Sequence, residues 1–361
     1  MKHFTAHQDA PIDRKISGDL ERIAEKLCMV LPAVRALVLV GGFGRGEGSV
    51  LVDPQGIECL NDYDVVVIAP RPALNRLDLP GLEKTLADEV NIWHVDLIPI
   101  GAGELGHLPL TMLNYDLKRA GYVFYGESQI LDQISLTADR IPPLAEAKTL
   151  LFNRLISFVE GLEPVAEVEY DLKKNLFLKQ QLAKVVLAIC DAQLLEQNQY
   201  FCRYQEKVDH FADLATAELA SLARSALQEK LSPSREPLQQ PFRQWLICRV
   251  HYLQSLMSVT QKVLGRPFDS PTELAAHLVK LSPREKFVYM LRRFKHGCLG
   301  YRPLLCACLL LWAEACEGVE QFDSCRLERL HKLIIKYFGS VSRDPWEMKN
   351  RLVEVWYHCP Q

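Results

Sequence analysis

The sequence predicts an α+β protein: a mixed β-sheet domain flanked by helices over residues 1–142, then an all-helical domain over residues 143–361. Runs of β-branched residues alternate with helical periodicity only before Pro142-Pro143. After that pair the strand signals stop and helix follows helix. The 361 residues are 48% hydrophobic and 24% charged, which is typical of globular domains and excludes a disordered or fibrous protein.

The first domain is predicted from a succession of short elements. Apolar residues recur at helical spacing over Ile16–Leu31, and Pro32 ends that helix. Two short runs around a Pro/Gly turn predict a hairpin over Val50–Leu60. The predicted strands are Arg35–Val40, Asp64–Ala69, Ile92–Ile100 and Tyr122–Tyr125, and the further predicted helices are Pro80–Val90 and Leu110–Ala120.

Helical periodicity fills the second domain, with turn residues between the segments. The predicted helices are Leu144–Leu162, Leu172–Gln197, Ala215–Lys230, Phe242–Leu264, Pro271–Leu281, Glu285–Lys295, Pro303–Cys316, Cys325–Phe338 and Pro345–Tyr357.

Composition narrows the class of protein. The net charge of −3 gives no general attraction to nucleic acid. The longest strongly apolar run, Leu304–Ala313, is too short to span a bilayer, and the N-terminal residues resemble no secretion signal, so we expect a cytoplasmic protein without a membrane partner. The eleven cysteines are expected to be free thiols, because Cys306 and Cys308 lack zinc-finger spacing.

Three aspartates indicate a metal site. Asp62 and Asp64 precede a predicted strand two residues apart, so they project to the same face, and Asp96 lies on a separate strand that would pair alongside. Ionised carboxylates this close repel one another unless a cation lies between them. Oxygen ligands without His or Cys favour Mg²⁺ or Mn²⁺, which complete their coordination with water and substrate phosphates.

A glycine-rich loop, Gly41–Ser49, follows the first predicted strand. Glycines let successive backbone N–H groups approach phosphate oxygens, and Arg45 could add a forked donor. The loop and the aspartates together predict a metal–triphosphate site for phosphoryl or nucleotidyl transfer. The alternative is a tight turn beside unrelated surface acids.

Two other glycine motifs fit poorly. A P-loop needs a lysine before its Ser/Thr, and here Glu47 precedes Gly48-Ser49. A Rossmann fingerprint needs a third glycine where this chain has Glu47, and it does not use a D-x-D pair.

The motifs resemble those of the DNA polymerase β-type nucleotidyltransferase superfamily, and most closely its minimal and aminoglycoside nucleotidyltransferase-like branch. The matching stretches are GGFGRG at Gly41–Gly46, NDYDVVVI at Asn61–Ile68 and HVDLIPI at His94–Ile100, within residues 34–127. The resemblance implies a nucleotidyltransferase-fold sheet domain and a mechanism with two Mg²⁺ (or Mn²⁺) ions. It departs from the family pattern at Gly42, where a serine is frequent, and in the inserted hairpin, which would either shape the acceptor pocket or decorate the surface.

The resemblance also implies residue roles. Asp62 and Asp64 would bind both metals, Asp96 would hold the catalytic metal, and the β- and γ-phosphates would lie against Gly41, Gly42 and Arg45. An NMP, most simply AMP from ATP, would pass to a hydroxyl of a small-molecule acceptor with release of pyrophosphate. The alternatives are nucleotidylation of a protein or of an RNA 3′ end such as that of tRNA, or a non-catalytic nucleotide-binding scaffold.

Other polar residues have two interpretations each. Lys184 lies on a polar stripe of its helix and would either face the triphosphate or be solvated. Glu47 would touch metal-bound water or, as we prefer, cap the helix after the loop or be solvated. His94 is interpreted as a packed strand residue rather than a base, and Asp116 and Glu127 as surface acids rather than acceptor-side bases.

Overall fold

We describe the protein from a computed structural model that covers residues 2–53, 56–137, 139–164, 171–280, 302–318 and 321–358. The chain forms two compact units. The first comprises Met1–Pro143, Gln197–Thr216 and Leu227–Ser234, and the second comprises Leu144–Glu196, Ala217–Ala226 and Arg235–Gln361. Among the described residues, every helix is too short or too polar to cross a bilayer.

The first unit holds a four-stranded mixed sheet, a separate hairpin and several helices. Its strands are β1 (Ala36–Leu39), β2 (Val50–Asp53), β3 (Gly56–Cys59), β4 (Tyr63–Ala69), β5 (Val95–Gly101) and β6 (Tyr122–Gly126). Its helices before residue 143 are α1 (Ala10–Val30), α2 (Gly41–Arg45), α3 (Arg71–Leu74), α4 (Leu79–Val90) and α5 (Met112–Ala120), with 3₁₀ turns at Ala102–His107 and Ile130–Gln133.

The order of the sheet is β5-β4-β1-β6. β4 and β5 are parallel and are connected through α4, whereas β1 is antiparallel to both β4 and β6. β2 and β3 pair with each other in a two-stranded sheet of their own, at the predicted hairpin. Its predicted turn includes residues 54 and 55, which lie outside the described residues.

Both faces of the sheet are buried, because successive residues of β4 enter two different cores. Tyr63 and Val65 pack with apolar residues of α1 and α4. Val66 and Ile68 pack on the opposite face with Leu117 of α5. Strand alternation therefore places Asp64 on the α5 face, in line with Val66 and Ile68.

The second unit is helical around an aromatic core. Trp245 stacks on Phe158 at 4.5 Å between ring centroids and donates its indole N–H to the Phe158 carbonyl. Its helices are α6 (Leu144–Glu160), α7 (Leu172–Glu196), α10 (Pro241–Leu264), α11 (271–280), α12 (Arg302–Ala315), α13 (Ser324–Phe338) and α14 (Pro345–His358). Helix α8 (Tyr204–Ala212) belongs to the first unit, and α9 (Ala217–Leu231) contributes residues to both.

The structure confirms a mixed α and β protein and corrects some details. The second domain is not all-helical: Cys316–Gly318 pairs with Gln321–Phe322, in strands too short to show alternation in the sequence. Helix α8 was not predicted, and the helix predicted over 285–295 lies outside the described residues. The first unit also includes Gln197–Thr216 and Leu227–Ser234. The two units are therefore not separated by a single boundary in the sequence, as the prediction had assumed. The cysteines among the described residues are free thiols.

Candidate metal and phosphate site

Three carboxylates converge where β4 and β5 begin. Asp64 and Asp96 are direct partners in the parallel register, so their side chains leave the same face of the sheet. Asp62 precedes Asp64 by two residues and joins them: one carboxylate oxygen from each lies within 4.8 Å of the others. The structure therefore brings together the three aspartates that the sequence singled out.

The electrostatics of the cluster are unfavourable without a cation. Burial, followed by the charges of Asp62 and Asp96, raises the pKa of Asp64 to about 7. Arg45 and Lys230 act in the opposite direction and keep that pKa from rising further. The side chain of Asp96 is 51% exposed, so the cluster opens to solvent on the β5 side. All the donors are hard carboxylate oxygens, a set that fits Mg²⁺ or Mn²⁺.

The first part of the predicted glycine loop forms the short helix α2, which ends at its C-cap Gly46, whose φ of 81° is left-handed. Gly41 stands at the start, with φ 65°, and a Cβ atom there would lie 1.9 Å from Oδ2 of Asp64. A side chain at this position would occupy the space of the carboxylate. Only glycine allows the turn after β1 and the buried carboxylate to lie so close together.

Arg45 points into the protein. Its side chain is 8% exposed, Nη1 donates to Oδ2 of Asp116 at 3.0 Å, and Nε lies 3.6 Å from Oε2 of Glu47. The guanidinium also lies over the Tyr204 ring, 4.9 Å from its centroid. Burial alone would lower the pKa of Arg45, but Tyr204, Asp116 and Glu47 together hold it above its ordinary value. The phosphate contact expected of Arg45 remains a prediction, and the structure gives its guanidinium protein partners instead.

Glu47 caps a helix, but not the one that the sequence indicated. Its carboxylate accepts the backbone N–H groups of Tyr204 and Gln205 at 3.0 and 3.4 Å, at the start of α8. The interpretation of Asp116 as a surface acid is wrong, because its side chain is 12% exposed and accepts from Arg45 and from the Tyr200 hydroxyl. Glu127 is an exposed acid as interpreted, and it pairs with Arg35.

His94 lies beside the cluster rather than packed within the sheet. Its side chain is 38% exposed, and Nε2 is 3.4 Å from Oδ1 of Asp96. Lys184 is on α7 in the second unit, and its expected phosphate contact stays a prediction.

The sequence analysis did not identify Lys230, and it named Asn61 only as part of a motif. Oδ1 of Asn61 accepts the backbone N–H of Ser49 and the ammonium of Lys230, both at 2.8 Å. The Ser49 hydroxyl in turn donates to the Lys230 carbonyl at 2.6 Å. A cation 134 residues beyond Asp96 in the chain is thereby held at the end of the glycine loop. A lysine on an amphipathic helix carries no local signal of such a role.

No protein-family model and no curated protein sequence matches this chain. The geometry of the site and the resemblance of its motifs are therefore what indicate its chemistry.

The site places negatively and positively charged side chains close together around one glycine loop. Three carboxylates can hold divalent cations, the glycine turn packs directly against Asp64, and Lys230 supplies positive charge at the other end of the loop. Such a combination suits a ligand that carries metal-bound phosphates.

Proposed function

We propose that the protein is a nucleotidyltransferase that uses Mg²⁺ (or Mn²⁺) to transfer an NMP, most simply AMP from ATP, to a hydroxyl of a small-molecule acceptor. The observation that carries the proposal is the pairing of Asp64 with Asp96 on parallel strands, with Asp62 in reach and Gly41 pressed against Asp64. We also propose that the first unit has the nucleotidyltransferase fold, on the resemblance of its motifs and on its mixed sheet order.

Each carboxylate has its own place in this proposal. Asp62 and Asp64 would hold both cations, and the more exposed Asp96 would hold the catalytic cation. When bound, these ions supply Lewis-acid charge that polarises the α-phosphoryl group and activates the acceptor hydroxyl.

The remaining groups orient the triphosphate, and Asp96 also accepts the proton. The acceptor oxygen forms a bond to the α-phosphorus while the bond from that phosphorus to the α–β bridging oxygen breaks, and pyrophosphate leaves. The hydroxyl proton passes to Asp96. Backbone N–H groups near Gly41 and Gly42 and the ammonium of Lys230 bind the β- and γ-phosphates and stabilise the charge of the departing pyrophosphate.

The test is transfer of label from α-labelled NTPs in the presence of Mg²⁺. Hydroxyl-bearing metabolites and aminoglycosides are offered as acceptors, and pyrophosphate is measured. Asp62→Asn is expected to reduce transfer by roughly a thousandfold, because several kcal/mol of transition-state stabilisation are lost with the metal site.

Asp132→Asn is the matched control, since this carboxylate is 78% exposed on the same unit. If the label enters protein or RNA in a lysate, the acceptor is a protein or an RNA 3′ end and not a small molecule. Binding of Mg-ATP without any transfer would indicate a scaffold, and absence of binding would refute the proposal.

Lys230→Met is expected to weaken Mg-ATP binding about tenfold. The lost charged contact to phosphate is worth on the order of 1.5–3 kcal/mol, part of which the Asn61 contact in the free protein offsets. Isothermal titration calorimetry with a non-hydrolysable ATP analogue measures the effect. Lys26→Met, which removes a lysine paired with Glu89, should leave affinity unchanged. Equal affinities of wild type and Lys230→Met would remove Lys230 from the phosphate site.

A further inference from the structure

A buried polar cluster joins two residues of the glycine loop to three residues from later in the chain. We call it the Arg45 cluster, and it comprises Arg45, Glu47, Asp116, Tyr200 and Tyr204. Arg45 binds Asp116 at 3.0 Å and approaches Glu47 at 3.6 Å, while the Tyr200 hydroxyl donates to the other Asp116 oxygen at 3.1 Å. All five residues belong to the first unit. The cluster joins the loop to a segment more than 150 residues further along the chain.

Glu47 connects this cluster to helix α8. Its carboxylate accepts two N–H groups at the start of that helix, where the N-cap residue Arg203 makes no capping hydrogen bond of its own. A negative charge at a helix N-terminus is favourable, and here it satisfies donors that would otherwise lack a partner. The first turn of α8 thus depends on the position of Glu47.

The backbone of Glu47 connects the same cluster to the phosphate end of the loop. Its N–H donates to the carbonyl of Gly42 at 2.8 Å. A shift of Glu47 therefore moves Gly42 as well as α8. Nε of Arg45 lies 3.6 Å from Oε2 of Glu47, the same oxygen that accepts the Tyr204 N–H, so the guanidinium charge acts on a carboxylate that serves both contacts.

We propose that Arg45 is a positioning residue: through Glu47 it sets the place of Gly42 in the phosphate loop and couples nucleotide binding to the order of the first turn of α8. The guanidinium stays on Asp116 and Glu47 and does not itself bind phosphate. This inference rests on the proposed function, because it assumes that a nucleotide triphosphate occupies the loop.

Glu47→Gln separates positioning from direct contact. A glutamine removes a negative charge near the loop, so simple electrostatics would strengthen the binding of an anion. Positioning gives the opposite result: with its ion pair to Arg45 lost, Glu47→Gln is expected to weaken Mg-ATP binding about fivefold. Arg45→Met should weaken it about tenfold and raise KM for NTP more than it lowers kcat.

Two further variants sharpen the comparison. Glu47→Gln combined with Arg45→Met should be little worse than Arg45→Met alone, since both disrupt one cluster. Arg45→Lys keeps the charge but lacks the planar fork that reaches two carboxylates, so it should restore little. Arg35→Met is the control, because Arg35 forms an exposed pair with Glu127 in the same unit.

Amide hydrogen exchange gives a readout that needs no turnover. In nucleotide-free protein, Tyr204 and Gln205 amides should exchange faster in Arg45→Met and Glu47→Gln than in wild type or Arg35→Met. A non-hydrolysable Mg-ATP analogue should slow exchange across α8 in the wild type and not in Arg45→Met.

Two results would overturn the inference: unchanged exchange at α8 in both variants, or tighter nucleotide binding by Glu47→Gln together with weaker binding by Arg45→Met, which would indicate a direct phosphate contact. Failure of the wild type to bind any nucleotide refutes the proposed function instead, and the nucleotide-free exchange still reports on the cluster.

Discussion

Replacing Asp64 with asparagine is expected to stabilise the metal-free protein at pH 8 and to abolish its thermal response to Mg²⁺. The folded protein holds the pKa of this carboxyl at about 7 because of its burial and the charges of Asp62 and Asp96. At pH 8 the folded state therefore carries an ionised group that it accommodates poorly. The neutral amide removes a penalty on the order of a few kcal/mol, which should raise Tm by several degrees.

The pH dependence follows from the direction of the shift. Below about pH 4 the carboxyl is protonated in both folded and unfolded chains, and the substitution gains nothing. Between that pH and about 7 the unfolded chain loses the proton first, so the stability of the wild type falls as pH rises. The advantage of Asp64→Asn should thus grow through this window and level off above pH 7.

Mg²⁺ reduces the stability advantage of Asp64→Asn at pH 8. A cation at a hundred times its Kd stabilises the wild type by about 2.7 kcal/mol, and the asparagine variant should gain almost none of this. Thermal melts with and without EDTA measure both effects, and Asp132→Asn should behave as wild type in each. A variant that is no more stable than wild type in EDTA, or that responds equally to Mg²⁺, would contradict the proposed metal site.

Gly41→Ala is expected to damage the site more than its single added methyl suggests. The backbone there has φ 65°, which costs a residue with a Cβ about 1–2 kcal/mol. The methyl would also fall 1.9 Å from Oδ2 of Asp64, so the carboxylate must leave its place. Since displaced metal ligands lower affinity, we expect Mg²⁺ and Mg-ATP to bind roughly ten- to a hundredfold more weakly, measured by calorimetry.

Gly18→Ala provides the matched comparison. Gly18 lies inside α1 with nothing near the position of an added Cβ, and alanine should stabilise this helix by about 0.5–1 kcal/mol without changing nucleotide binding. If Gly41→Ala bound Mg-ATP as tightly as Gly18→Ala, the turn after β1 would have no part in the site.

The acidic cluster could be predicted because its signal is local. Two aspartates at a spacing of two residues share a face of any strand, and Asp96 needed only one strand pairing to join them. The helices among the described residues of the second unit were predicted almost to the residue for the same reason, since periodicity and Gly/Pro stops are read within one segment.

The partners of the loop could not be predicted, because they come from distant parts of the chain. Glu47 has a local pattern compatible with capping the next helix, yet its partners are the amides of Tyr204 and Gln205. Arg45 is of a residue type that often binds phosphate, but in the structure its guanidinium contacts Asp116 and Tyr204, which lie far from it in the sequence. Even α2 contradicts local propensity, as glycines disfavour a helix that tertiary contacts here impose.

The passage of the chain between the two units has a consequence for biosynthesis. Asp62 and Asp96, whose charges raise the pKa of Asp64, emerge from the ribosome within the first hundred residues, whereas Lys230 follows much later. A nascent chain with β4 and β5 already assembled would hold its three acids without that ammonium and with Glu47 facing no helix. Translation as far as Ser234 is then the earliest point at which the first unit can become complete.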